Sequence, residues 1–139
     1  MVFIFYAWCR EALEREFEQV KLLKESERGT VALVRHRGSG QRFVLRSFVG
    51  NAEVYRRLLD WECPNLPKVF EAAPDEDRNL VLEEYIQGDN MGTMLPDALF
   101  SARETRRIAR PPCRPLWVLH SMRALHRCVK PATVVLRGR

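Results

Sequence analysis

The sequence predicts an α+β fold: five β-rich runs forming one antiparallel sheet, a single helix between the third and fourth runs, and a few helices after the sheet. Three observations carry this. Gly38-Ser39-Gly40 separates two β-rich runs and reads as a hairpin turn. The segment 52–59 has apolar residues three and four apart and is stopped by Pro64 and Pro67. Ser101-Ala-Arg-Glu104 has the spacing of a helix capping box.

In chain order, Arg10 to Gln19 is rich in helix formers, with Leu13 and Phe17 four apart, and predicts a short amphipathic helix. Strands are expected over 20–24, 30–36 and 41–48, where β-branched and aromatic residues concentrate. Asn51 suits the N-cap of the 52–59 helix. Two further strands are expected at 68–72 and 79–84, on either side of the acidic turn Pro74-Asp-Glu-Asp-Arg78. Beyond Gly88 the capping box opens a helix that Pro111-Pro112 must end. A second helical period runs from Leu116 to Leu125, with Pro115 tolerable near its first turn.

With 139 residues, 46% of them hydrophobic and 29% charged, the chain has the make-up of one globular domain and neither a disordered nor a membrane-spanning composition. Met1 to Trp8 is apolar, but it has no basic lead and is shorter than the ~20 residues a spanning helix needs; it is expected to pack on the domain. Cys9, Cys63, Cys113 and Cys128 form no Cys-x-x-Cys pair, so a reducing cytoplasm is expected. The net charge of +5 is uneven: residues 1–102 carry 13 basic and 17 acidic side chains, and residues 103–139 carry 10 basic and one acidic. A basic tail can attract nucleic acid, but a solvated face is the commoner outcome and no nucleic-acid partner is expected. Cys113, His120, His126 and Cys128 could ligate zinc, yet their spacing matches no common zinc pattern and no metal site is expected.

Several segments, taken in order, resemble a protein kinase of bacterial Ser/Thr type. Leu23-Lys-Glu-Ser-Glu-Arg-Gly29-Thr-Val31 keeps the frame and the last glycine of the phosphate-covering loop, with Lys24 and Ser26 at the other glycine positions and Glu25 and Glu27 adding negative charge. Phe43-Val44-Leu45-Arg46 is similar to Val-Ala-Ile-Lys, with arginine for the lysine that bridges phosphates to a helix glutamate, here Glu53. Cys63-Pro-Asn-Leu-Pro67 and Leu80-Val-Leu-Glu-Glu-Tyr-Ile-Gln-Gly88 resemble the lead into the fourth strand and the fifth strand with its hinge. Within the latter, Glu83 stands at the back-pocket position, where it needs a cation such as Arg46 or a proton. His126-Arg127-Cys128-Val129-Lys130-Pro131-Ala132-Thr133 resembles the catalytic loop His-Arg-Asp-x-Lys-Pro-Glu-Asn.

The resemblance covers about residues 15–139 and implies three parts: an apolar segment and short helix (1–19), a kinase N-lobe-like domain (20–88), and partial C-lobe helices ending in the loop-like segment (89–139). It implies a nucleotide cleft shaped by Leu23, Gly29, Val31, Val44, Arg46, Glu53, Glu84 and Ile86. Cys128 replaces the catalytic aspartate and Thr133 the magnesium-binding asparagine, while Lys130 is kept. The expectation is an inactive kinase-like chain, a pseudokinase or a truncated kinase. ATP is the one cofactor the resemblance allows, and magnesium is not expected. The alternatives are a non-catalytic module that docks a protein through its C-lobe-facing surface, or a basic nucleic-acid binder. In the first of these, Leu116, Val118, Leu119 and Leu125 would be left as an uncovered apolar patch, and prolines 111, 112 and 115 would disrupt the helix that supports the loop.

Overall fold

The computed structural model describes residues 10–75, 77–97, 99–124 and 133–137. Met1 to Trp8, Leu125 and the loop-like segment from His126 to Ala132, with Cys128 and Lys130, lie outside the described residues. The chain divides into two compact units, one reaching Trp61 and including Lys68–Tyr85, the other made of Glu62–Pro67 and the residues from Ile86 on.

The first unit holds α1 (Arg10–Glu16), β1 (Phe17–Ser26), β2 (Gly29–His36), β3 (Arg42–Phe48), α2 (Glu53–Leu58), β4 (Val69–Asp75) and β5 (Arg78–Glu84). The five strands form one antiparallel sheet in the order β1-β2-β3-β5-β4, as the sequence predicts. The hairpin turn forms where expected: Gly40 takes φ 73° and its N–H donates to the His36 carbonyl at 2.8 Å. Helix α1 stops at Glu16, three residues short of the expected end. Phe17 starts β1 instead, opposite His36, and meets the rings of His36 and Phe43 edge-on at 5.2 and 5.8 Å. The helical spacing of Leu13 and Phe17 is overridden by this aromatic contact across the sheet.

Side-chain alternation gives the sheet two faces. On one, Ala32, Val34 and Leu82 are buried beneath Phe17, Phe43, Leu45 and Phe70. On the other lie Leu33, Val44 and Val81, with Arg46 and Glu83 among them. Strand β1 is an edge and carries two register shifts, between Gln19 and Lys21 and between Leu22 and Lys24. Helix α2 starts one residue later than predicted: Asn51 Oδ1 accepts from the Glu53 N–H at 2.8 Å, and Ala52 takes the cap position. Leu58 is buried and Tyr55 packs on Phe48, ring centroids 5.5 Å apart, so α2 is pinned to the sheet from its inner side.

The second unit contains β6 (Gly88–Asn90), α3 (Met91–Met94), a 3-10 turn at Leu95–Asp97, α4 (Ala102–Ala109), α5 (Cys113–Ser121) and β7 (Val135–Arg137). β6 and β7 pair antiparallel. The capping box closes as predicted, with Ser101 Oγ accepting from the Glu104 N–H at 3.3 Å and Glu104 Oε2 accepting from the Ser101 N–H at 2.8 Å. Hydrogen bonds from the Ser101 backbone and hydroxyl hold the Glu104 carboxyl below its usual range. The prolines do not disrupt a helix. The chain breaks into α4 and α5, Pro112 becomes the N-cap of α5 and Pro115 falls in its first turn, where its missing N–H has no intrahelical partner to lose. The expected uncovered patch is also corrected: Val118 and Leu119 are 4% and 7% exposed, and Leu116 is half-buried. Among the described residues no helix is long and apolar enough to cross a membrane.

Two positions on the sheet make predictions. Gly29, the surviving glycine of the phosphate-loop resemblance, begins β2 so close to β3 that a Cβ there would lie 2.0 Å from the Ser47 carbonyl oxygen and 2.9 Å from Phe48 Cα. Gly29→Ala is therefore expected to cost about 3 kcal/mol by strand displacement. Thermal unfolding checks this, and an unchanged Tm would mean that strand packing does not require the glycine. Glu71 on β4 has a buried oxygen, Oε2, with no hydrogen-bond partner among the described residues, and burial pushes its carboxyl up to about 7. The folded state thus holds this proton more tightly than the unfolded chain, so stability falls as pH rises from about 4.5 to about 7. Glu71→Gln is expected to flatten that slope and add about 1 kcal/mol at pH 8, a value discounted for the side chain's partial exposure. Urea unfolding at pH 5 and pH 8 measures it, and an equal change at both pH values would contradict the assignment.

Candidate functional site

Strand register decides which charges meet. Val44 pairs with Glu83 and Arg46 with Val81, so Arg46 and Glu83 are diagonal neighbours on one face of β3 and β5. Arg46 Nε donates to Glu83 Oε1 at 2.6 Å. Glu83 is 7% exposed, and its carboxyl is raised by burial, a rise that the charge and hydrogen bond of Arg46 only partly offset. Burial works against the charge on Arg46, but attraction to Glu83 and Tyr55 outweighs it and the guanidinium is held above its ordinary value. The Tyr55 phenol is raised by burial, with Arg46 pulling the other way. The carboxylate expected for Arg46, Glu53, is instead exposed on α2 and accepts from Arg57 Nε at 3.1 Å, one helical turn away.

Beside this pair, the β1–β2 hairpin and β3 enclose a pocket of about 190 Å³, lined by Lys24, Ser26, Arg28 and Gly29 from the hairpin, with Thr30, Val31, Arg46, Ser47, Phe48 and Tyr55 completing it. Because β1 continues to Ser26, alternation places Lys24 and Ser26 on the pocket side. Glu25 and Glu27 do not line the pocket, and no lining residue is a carboxylate. The sequence reading put those two glutamates where phosphate would sit; the strand's extra length removes them from it.

Of the residues named from sequence, Gly29, Val31 and Arg46 come together here. Leu23 is 45% exposed at a register shift of β1, and Val44 is buried beside Glu83 without lining the pocket. Glu84 ends β5, where its N–H donates to the Lys68 carbonyl at 2.8 Å and its Oε2 accepts from the Lys68 N–H at 3.2 Å. Ile86 is half-buried at the start of the second unit. Thr133 is exposed two residues before β7. Sequence reasoning missed Arg28, Ser47, Phe48 and Tyr55 as pocket residues. The period-2 pattern from Lys24 onward was the available signal for the hairpin side.

Comparison with known proteins returns kinases. The chain is 28% identical over 140 residues to mitogen-activated protein kinase kinase 2 of Arabidopsis thaliana, covering 89% of this chain and 37% of the relative. It is 25% identical over 132 residues to mitogen-activated protein kinase kinase SIPKK of Nicotiana tabacum, covering 87% and 37%. It therefore spans just over a third of the length of these relatives. No family model matches. Among solved structures, Rad53 1–466 in complex with AMP-PNP superposes with a TM-score of 0.76 at 17% identity, over 91% of this chain and 36% of that one. The sheet order, the helix between β3 and β4 and these likenesses agree: the chain has a protein kinase-like fold, matched over part of the length of the kinases it resembles.

Proposed function

We propose that this is a protein kinase-like domain that does not transfer phosphate and that retains at most a nucleotide-phosphate site. The observation that carries the proposal is the 2.6 Å bond between Arg46 and the buried Glu83. In a working kinase the third-strand cation must bridge the nucleotide phosphates and a helix glutamate. Here the cation is committed to a carboxylate inside the sheet, and the helix glutamate is committed to Arg57. The longer planar guanidinium also presents a different donor geometry from an ammonium. Cys128 and Thr133, at the base and metal-ligand positions by resemblance, support the same reading: a thiol and a hydroxyl replace neither a carboxylate base nor a hard oxygen ligand set for magnesium. The AMP-PNP in the Rad53 complex supports nucleotide as the ligand class for this region.

With magnesium and ATP, no autophosphorylation and no transfer to a generic protein substrate is expected; a measurable rate abolished by Arg46→Ala would overturn the proposal. The ion pair itself is tested by stability. Arg46→Ala leaves Glu83 buried without its cation and is expected to cost about 2 kcal/mol, less than the ~3–5 kcal/mol of a fully buried pair because Arg46 keeps 36% of its side chain exposed. The double variant Arg46→Met with Glu83→Met is expected to recover most of that loss, since it removes both charges. Denaturant midpoints of the two variants, compared with the parent, decide it.

A further inference from the structure

We infer that the hairpin pocket binds a short polyphosphate chain without any divalent cation. The inference rests on the non-catalytic reading above and adds the ligand's charge state. A di- or triphosphate carries several negative charges, and in kinases magnesium ions neutralise much of that charge. This pocket supplies the compensation from its own side chains. Lys24, Arg28 and Arg46 line it together, Ser26, Thr30 and Ser47 add hydroxyl donors, and no lining residue is acidic. Glu83 takes only Nε of Arg46, and the two terminal guanidinium nitrogens have no hydrogen bond to any described residue. Those nitrogens form a fork suited to phosphate oxygens.

The volume agrees with this ligand. About 190 Å³ is below the roughly 300–1,000 Å³ of pockets that enclose whole drug-sized molecules, so the pocket takes a phosphate chain and leaves any nucleoside outside. The cations also come in an order that a flexible surface loop would not need. Lys24 and Ser26 face the pocket on alternate positions of one strand, Arg28 follows on the turn, and the intervening glutamates are excluded from the lining. With the charge already balanced, a bound magnesium ion would compete with Lys24 and Arg28 for the same phosphate oxygens. Magnesium is therefore expected to weaken binding.

The test is calorimetric titration of the full chain with inorganic tripolyphosphate, ATP and adenosine, each in EDTA and in excess magnesium. Tripolyphosphate and ATP are expected to bind in EDTA with affinities within threefold of each other, to bind less tightly in magnesium, and adenosine is expected not to bind. ATP binding with no tripolyphosphate binding would overturn the inference by placing recognition on the nucleoside. Lys24→Gln and Arg28→Gln, both at exposed positions and so harmless to folding, are each expected to weaken tripolyphosphate about fivefold. Glu25→Gln and Glu27→Gln are expected to change it less than twofold. Magnesium-dependent tightening, or no loss in the Lys24 and Arg28 variants, would overturn the inference. Phosphoryl transfer to protein in magnesium would overturn the non-catalytic reading instead, and that outcome is read in a separate assay.

Discussion

A carboxylate held inside a sheet face has to be met by a cation or keep its proton, and Glu83 on β5 imposes that condition on everything around it. The strand beside it offers Arg46 on the diagonal, and the resulting bond settles the orientation of the guanidinium. Once Arg46 is turned toward β5, the helix glutamate has no claim on it and pairs along its own helix with Arg57. Tyr55, packed on Phe48, sits in the field of both charges. The cationic character of the neighbouring pocket then depends on the two hairpin residues and on what remains of Arg46. One substitution at the back-pocket position thus propagates through the register of two strands to the surface where phosphate would arrive.

The parts legible in the sequence were those set by local spacing. The turn at Gly38 to Gly40, the strands β2 to β5 and the Ser101–Glu104 capping box involve residues a few positions apart, where backbone geometry leaves little choice. The parts that escaped depend on distant contacts. Phe17 has helical spacing with Leu13 but gains more from aromatic neighbours on β2 and β3. The Arg46 partner follows from cross-strand register, which a sequence reader cannot see before the sheet is assembled. The charge of the pocket was misjudged for a smaller reason: the first strand was expected to end at Lys24, and ending it there hid the alternation that separates Lys24 and Ser26 from Glu25 and Glu27. Prolines 111, 112 and 115 were legible as helix breakers, but only the fold shows that a break into two helices costs little.

Gly29 illustrates why family resemblance and function must be argued separately. A glycine that fits a phosphate-loop pattern invites a phosphate explanation. Its surroundings give another: β3 runs so near that any side chain would meet the Ser47 carbonyl. The same residue can therefore be kept by the sheet after the other glycines of the pattern have given way to Lys24 and Ser26.

The two register shifts in β1 have a consequence for the protein's behaviour in concentrated solution. Val20, Leu22 and Leu23 are 51%, 42% and 45% exposed on an edge strand, a combination that ordinarily templates strand addition by a neighbouring molecule and, in the limit, fibril growth. A continuous run of regularly spaced N–H and C=O groups is what such growth requires. Each bulge shifts that spacing within a few residues, so an incoming strand would find two or three matching partners and then lose step. The irregular edge lets the chain keep apolar residues in water while denying them to a second copy.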